Sequence, residues 1–217
     1  DVNCNNISNE GMKYLSESLK INKSIKNLNL SYNINIESEG LKFLSESIKI
    51  NSTLSQIFLA NNQIGDEGMK YLSESLKINN SLTNINLFNN KIEMEGIKYL
   101  CESLKNNNSL TNINLGYNQF GDEGIKYLSE SLKINNTLTS IYLGENNIGD
   151  EGIKYLSESL KINNTLKTID LNKNNIKDKN LFNKFNDIIN ENKNNPEKAK
   201  ERVLKESILI KYSISIV

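Results

Sequence analysis

Histidine is absent from the 217 residues of this chain, and its absence excludes several kinds of chemistry. Histidine-based acid/base catalysis, activation of a serine or cysteine nucleophile by histidine, and the commonest metal ligand are all removed. Cysteine is nearly absent as well, because only Cys4 and Cys101 occur, and their separation fits neither a disulfide framework nor a zinc site. We therefore expect no catalytic residue, no metal site and no cofactor.

Neither sign of charge dominates, because 26 basic and 26 acidic side chains give a formal net charge of zero. Nucleic-acid and membrane-surface binding both need a concentrated basic patch, so we expect neither kind of partner. No run of 18 apolar residues occurs, so no membrane-spanning segment is predicted. No charged segment followed by an apolar stretch opens the sequence, and we expect a cytoplasmic location.

A unit of 28 residues repeats along most of the chain. The segment IGDEGMKYLSESLKINNSLTNINLFNNK begins at Ile64. Similar segments begin at Ile7, Ile36, Ile92, Phe120, Ile148 and, in degenerate form, Ile176. Repetition at this period is the signature of a solenoid, in which each unit buries its apolar face only against its neighbours.

Each unit contains one strand-like and one helix-like pattern. Ile85 and Leu87 are two residues apart, as in a strand that buries one face, whereas Met69, Leu72 and Leu76 follow helical spacing. One position of the unit predicts helix N-caps, with residues Asn9, Ser38, Asp66, Asp122, Asp150 and Asp178. Met94 takes that position in the fourth full unit, where we expect a weaker helix start.

The pattern LxxLxLxxNxI followed by a DEGxxxLxxxL helix resembles the leucine-rich repeat of the ribonuclease-inhibitor subtype. Cys101 stands where that family often carries a cysteine after the helix leucine. The resemblance implies an α/β fold, a right-handed solenoid or horseshoe with a parallel β-sheet on the concave face and α-helices on the convex face.

Two regions are predicted, a solenoid over residues 1–193 and a C-terminal cap over residues 194–217. Val2 aligns with Leu87, so the sequence begins inside a repeat, and we expect either a fragment of a longer chain or a monomer covered at that end by a partner. Asn195-Pro196 is typical of a helix start. The residues after that helix alternate like a strand, which packs on the last repeat or recruits another chain, at Ile210, Tyr212, Ile214 and Ile216.

Differences between the units point to a binding face. The helix sequence hardly changes, whereas the strand positions expected on the concave face vary widely. Exposed aromatic side chains interleaved with asparagine are typical of a protein-binding surface. The candidate partner-binding residues are Phe58, Phe88, Tyr117, Tyr142, Asn86, Asn114, Glu145 and Asp170. The alternative is that these side chains are merely scattered along a long sheet.

Three repeating features are not interpreted as functional sites. The asparagines at each strand-to-loop turn, such as Asn90, are expected to satisfy backbone groups. Asn-x-Ser/Thr sequences recur at one position of the unit, beginning at Asn22, and are interpreted as a by-product of the repeat. The tyrosine column that includes Tyr127 is expected to pack helix against helix.

The sequence therefore predicts a non-enzymatic module that binds a partner protein through its concave face. The Ran GTPase-activating proteins carry the same repeat subtype, so activation of a Ran-like small GTPase is the alternative, although the acidic tail typical of that family is missing. Ribonuclease inhibition is a third possibility that rests on the repeat alone. No catalytic residue can be carried over from either family.

Overall fold

The computed structural model describes residues 1–214, with side chains as far as Ile210. The strands are β1 (Asn27–Asn29), β2 (Gln56–Phe58), β3 (Asn84–Asn86), β4 (Asn112–Asn114), β5 (Ser140–Tyr142) and β6 (Thr168–Asp170). The helices are α1 (Asn9–Ile21), α2 (Ser38–Ile50), α3 (Gly65–Leu76), α4 (Met94–Leu104), α5 (Gly121–Leu132), α6 (Asp150–Ile162), α7 (Lys179–Asn194) and α8 (Pro196–Ile214).

The six strands form one open parallel sheet in chain order, β1 to β6. Equivalent residues of successive units pair directly, as in the alignment of Ile85 with Ile113 and Ile141. One helix follows each strand and crosses back to the next, so each unit is a β-α element stacked on its neighbours. The predicted α/β solenoid with a parallel sheet is confirmed.

One continuous apolar core lies between the sheet and the helices. The middle residues of β1 to β5, such as Ile85, and inner helix residues such as Leu72 and Leu76 are buried, and Ile169 of β6 is partly buried. The strand-like and the helix-like apolar residues identified in the sequence therefore both contribute side chains to this core. Helix packs on helix as predicted for the tyrosine column, because the Lys98 ammonium lies 5.8 Å from the ring centre of Tyr127 on the next helix.

Asparagine side chains join the units at the end of each strand. The Asn118 Nδ2 donates to the carbonyl oxygens of Leu87 and Leu115, at 3.2 and 2.9 Å. Its Oδ1 accepts from the backbone N–H groups of Asn90 and Ile92, both at 3.0 Å. The structural interpretation of this column is confirmed, because each side chain replaces hydrogen bonds that the turning backbone cannot make to itself.

A second asparagine ladder, which sequence reasoning missed, follows the helices. Its members are the buried asparagines of the Asn-x-Ser/Thr sequences, namely Asn51, Asn79, Asn107, Asn135 and Asn163. Asn163 donates from Nδ2 to the carbonyl oxygens of Leu132 and Asn135, in the preceding unit, at 2.8 and 2.9 Å. These side chains are therefore enclosed hydrogen-bonding groups of the scaffold.

The predicted N-cap residues mostly cap the helix of the following unit, so that prediction was wrong in its detail. Asp66 Oδ1 accepts from the N–H of Glu93 at 2.8 Å, and Asp122 Oδ1 accepts from the N–H of Gly149 at 2.7 Å. Asp178 alone of the six predicted caps accepts from its own helix, at Asn180 and Leu181. The reason is geometric, because neighbouring helix starts lie side by side in the solenoid.

Because the side chain at this position caps the helix of the following unit, Met94 leaves the start of α5, and not the start of α4, without a side-chain cap. Where the preceding unit supplies Asp122, Gly149 has an extended φ of −105°. Where it supplies Ser38 or Met94, the glycines Gly65 and Gly121 take φ values of +61° and +56° instead. Only glycine adopts that left-handed conformation at little cost, so it permits a turn without a cap.

The C-terminal region folds back onto the last full unit. Asn195 Oδ1 accepts from the N–H of Lys198, which confirms the predicted helix start. Arg202, the single arginine, donates to the Leu160 carbonyl oxygen at 3.0 Å and to Asn192 Oδ1 at 2.7 Å. Asn192 Nδ2 in turn donates to Asn163 O at 3.1 Å and Leu166 O at 2.9 Å, so these side chains end the second ladder.

The strand predicted after this helix is wrong as far as the structure describes it. Helix α8 continues through Ile210, Tyr212 and Ile214, because the helix-forming residues before them propagate the helical conformation. Ile216 lies outside the described residues. The division at residues 193–194 between solenoid and cap stays a prediction. Among the described helices, none combines the length and apolar character needed to cross a membrane.

Candidate protein-binding face

The face of the sheet that points away from the helices carries three rows of residues that run across the strands. The first row is Asn27, Gln56, Asn84, Asn112, Ser140 and Thr168, and the middle row is Asn29, Phe58, Asn86, Asn114, Tyr142 and Asp170. The third row is Ser31, Ala60, Phe88, Gly116, Gly144 and Asn172. The third row follows the strand ends by two residues, and members of one row lie in adjacent units, about 4.8 Å apart.

Three of the four predicted aromatic residues lie together. The rings of Phe88 and Tyr117 are 5.7 Å apart between centroids, and Phe88 and Tyr142 line one hollow of the sheet face. Tyr117 and Tyr142 are 50% and 39% exposed, so both rings are accessible. Phe58 lines a different hollow, with Asn27 and Asn29, although its strand β2 is next to the unit of Phe88; it lies three strands, about 14 Å, from Tyr142.

The predicted polar residues of the middle row use one oxygen each to support the backbone. Oδ1 of Asn86, Asn114 and Asp170 accepts from the N–H two residues later, at 3.0, 2.9 and 3.0 Å respectively. A bond of this kind fixes the side chain at the end of its strand. This bond leaves the Nδ2 group of each asparagine and the second carboxylate oxygen of Asp170 for other contacts.

The next position along each unit has a left-handed backbone. Tyr117, Glu145 and Lys173 have φ values of 55°, 58° and 56°, and the equivalent Asn61 and Asn89 have 56° and 52°. Asparagine tolerates this conformation better than most residues, whereas an ordinary L-residue loses about 1–2 kcal/mol. Three successive units thus carry an unfavourable residue beside the aromatic pair, a feature that the sequence did not reveal.

Glu145 and Lys173 form an ion pair across adjacent units, with 3.0 Å between Nζ and Oε1. The pair stands between two neighbouring hollows. One is the hollow that contains Phe88 and Tyr142, and the other is lined by Tyr117, Lys91 and Asn147. The predicted residue Glu145 is therefore central to the face, although a contact with an exposed lysine adds little to stability.

The described residues carry no evident reaction centre. Burial raises the pKa of the Cys101 thiol to about 12, which keeps it protonated and unreactive at neutral pH. No group of three or more histidine, cysteine, aspartate or glutamate residues is placed to hold a metal ion in residues 1–214. The sheet face offers aromatic rings, amides and a few charges.

The leucine-rich-repeat family model matches seven successive segments, which together make up more than half of the chain. They are residues 1–16, 22–45, 51–73, 79–101, 106–129, 135–157 and 163–179. The chain belongs to the leucine-rich-repeat family. The ribonuclease-inhibitor-like subtype inferred from the 28-residue unit fits this match.

Solved structures share the leucine-rich-repeat fold at low sequence identity. The structure entitled leiomodin-1 actin-binding site 2 is 19% identical, with a TM-score of 0.52, and the match covers 90% of this chain and 95% of that one. The C-terminal domain of Caenorhabditis elegans tropomodulin is 14% identical, with a TM-score of 0.55, over 89% and 98% of the two chains. No curated protein sequence matches this chain.

Proposed function

We propose that this leucine-rich-repeat chain is a non-enzymatic module that binds a partner protein through its concave face. The binding surface, called here the concave patch, consists of Phe88, Asn114, Tyr117, Tyr142, Glu145 and Asp170. Phe88, Tyr117 and Tyr142 carry the proposal, because they are grouped on a sheet face whose other residues, apart from Phe58 and Ala60, are glycine or polar. Aromatic anchors of this kind supply much of the binding energy in protein interfaces.

The left-handed residues support the same placement. Asparagine at Tyr117 or Glu145 would relieve backbone strain, and the chain itself uses asparagine at this position in Asn61 and Asn89. Residues held in an unfavourable conformation cluster at functional sites, where their side chains are needed. Their position beside the aromatic residues favours binding over a chance distribution along the sheet.

The family and the fold support protein binding without naming the partner. Leucine-rich-repeat domains are interaction modules, and one solved structure of this fold is described by its title as an actin-binding site. Actin is therefore a reasonable first purified partner to test. The alternative, activation of a Ran-like small GTPase, remains a prediction, and acceleration of single-turnover GTP hydrolysis by the added chain would support it.

Partner capture tests the proposal. The immobilised chain is incubated with lysate of the cells that express it, and retained proteins are identified for the wild type and for the double substitution Phe88→Ser/Tyr142→Ser. Tyr14→Ser is the matched control, because Tyr14 is 63% exposed on helix α1, away from the sheet. We expect a protein that the wild type and the control retain and the double variant loses.

Identical protein lists for the three chains would contradict the concave patch as the binding surface. The melting temperature is measured in parallel, since both substituted side chains are partly exposed and should contribute little to the core. A second substitution separates binding from stability. Tyr117→Asn should raise the melting temperature, because it relieves left-handed strain, and should weaken capture.

A further inference from the structure

The hollow between Phe88 and Tyr142 exists because two residues of the third row have no side chain. A Cβ on Gly116 would lie 3.0 Å from Phe88 Cδ2, and a Cβ on Gly144 would lie 3.1 Å from the Asn172 carbonyl oxygen. Neither glycine has a positive φ, so the backbone conformation does not require glycine here. The space that they leave spans two strands, about 10 Å along the row.

The walls of this hollow combine aromatic rings with carboxylates. Phe88 closes one end of the hollow, and Asp170 and Glu145 lie toward the other end. Tyr142, in the middle row, lines the side of the hollow. Oδ2 of Asp170 is 3.8 Å from the point where a Gly144 Cβ would stand, whereas its Oδ1 is engaged with the backbone. The hollow therefore offers aromatic side chains and a carboxylate oxygen to the same occupant.

We propose that the hollow receives an arginine side chain of the protein partner, an inference that rests on the proposed binding function. A guanidinium group is planar and weakly hydrated, so it stacks on an aromatic ring while it donates to a carboxylate. A purely apolar side chain would instead cover Asp170 without a hydrogen-bond partner. Lys173 is tethered to Glu145 at the rim and leaves Asp170 as the main anionic group.

A minimal arginine probe tests this assignment without the natural partner. Acetyl-Gly-Arg-Gly-amide is titrated into the ¹⁵N-labelled chain, alongside the same peptide with lysine or with uncharged citrulline. We expect amide shifts centred on Gly116 and Gly144, with affinity in the order arginine, lysine, citrulline. Arginine should bind about fivefold or more tightly than citrulline, because charge-assisted hydrogen bonds are the stronger ones.

Substitutions of the carboxylate provide the decisive comparison. Asp170→Asn should weaken the arginine probe about fivefold, and it should fold normally, because Asn86 and Asn114 make the same backbone bond at this row. Asp187→Asn, on the exposed surface of α7, removes the same charge elsewhere and should have no effect. Lys173→Met should instead tighten binding about twofold, because it removes a competing cation.

A filled hollow gives an independent check. Gly144→Ala should block the probe while amide dispersion stays native, since the third row accepts Ala60 elsewhere. Equal binding of arginine and citrulline, shifts outside the hollow, or no shift at the highest soluble probe concentration would overturn the inference. If the probe fails but Phe88→Ser/Tyr142→Ser still abolishes capture, the arginine assignment is wrong and the proposed function stands. If the probe binds and capture is unaffected by Phe88→Ser/Tyr142→Ser, the hollow does bind arginine, but the concave patch is not the partner-binding surface, so the proposed function is wrong and the arginine is not the partner's.

Discussion

The second asparagine ladder makes a strong prediction, because two adjacent asparagines differ completely in their surroundings. Asn135 is buried, and its Nδ2 donates to the carbonyl oxygens of Leu104 and Asn107 at 2.9 and 3.3 Å. Its Oδ1 accepts from the N–H groups of Thr137 and Leu138 at 3.1 and 2.9 Å. Asn136, the next residue, is exposed.

Substitution Asn135→Ala should therefore destabilise the chain severely. Four neutral hydrogen bonds at about 1 kcal/mol each give a loss of roughly 4 kcal/mol, and water reaching the half-buried Thr137 reduces it to about 3 kcal/mol. Asn136→Ala should change stability by less than about 0.5 kcal/mol. Urea titration followed by circular dichroism measures both free energies of unfolding.

Hydrogen exchange locates the effect within the solenoid. Each unit contacts only its neighbours, so loss of one ladder member should accelerate exchange at Leu138 and in the adjacent helix more than in α1. If both substitutions lower stability equally, or if Asn135→Ala costs less than about 1 kcal/mol, the ladder does not hold the units together. The Asn-x-Ser/Thr repetition would then need another explanation.

Three further substitutions test the helix starts, the buried hydroxyls and the C-terminal cap. Met94→Asp should supply the missing cap to α5 and raise the free energy of unfolding, measured by urea titration, by about 1 kcal/mol. Gly121→Ala should then lower the free energy of unfolding less in the Met94→Asp chain than in the wild type. Ser73→Ala removes a buried hydroxyl without a hydrogen-bond partner and should raise the melting temperature, unlike Ser75→Ala, whose hydroxyl donates to a backbone carbonyl at 2.7 Å. Arg202→Met should speed amide exchange in α7 and α8 by more than tenfold with little change in α2, since charged hydrogen bonds contribute about 1.5–3 kcal/mol; uniform exchange throughout would contradict the cap.

The architecture was predictable because every unit repeats the same two apolar spacings. Ile85 and Leu87 point inward together, and Leu72 and Leu76 face them from the helix, so a single unit determines the layer order. The period of the repeat then determines the register, since equivalent strand residues must pair. These features depend on local patterns and on contacts that recur identically, which is why the sequence alone was sufficient.

The helix caps were not predictable from one unit at a time. The segments Ile64–Gly68 and Ile148–Gly152 are identical in sequence, yet Gly65 is left-handed and Gly149 is extended. Their conformations differ because the preceding units present Ser38 in one case and Asp122 in the other. The strand predicted near Ile214 was wrong because the prediction used only the local alternation of apolar residues. In the structure the preceding helix α8 continues through these residues.

The sequence predicted which side of the sheet carries the variable residues, but it did not predict which of those residues lie together. Variation among the units identified the outward strand positions, including Phe58, which lines a different hollow from Phe88 and Tyr142. The hollow formed at Gly116 and Gly144 could not be predicted from the sequence. A missing side chain creates a hollow only if the neighbouring side chains leave the space open, and the fold determines those neighbours.

The spatial order of the strained residues argues for a compact binding surface. Cys4 and Tyr32 are also left-handed at this position, but Asn61 follows them, so this run extends over only two units. Tyr117, Glu145 and Lys173 instead occupy three consecutive units, and the same units hold the glycine-lined hollow. Their concentration over three strands, about 10 Å across, matches one short segment of a partner lying across the sheet.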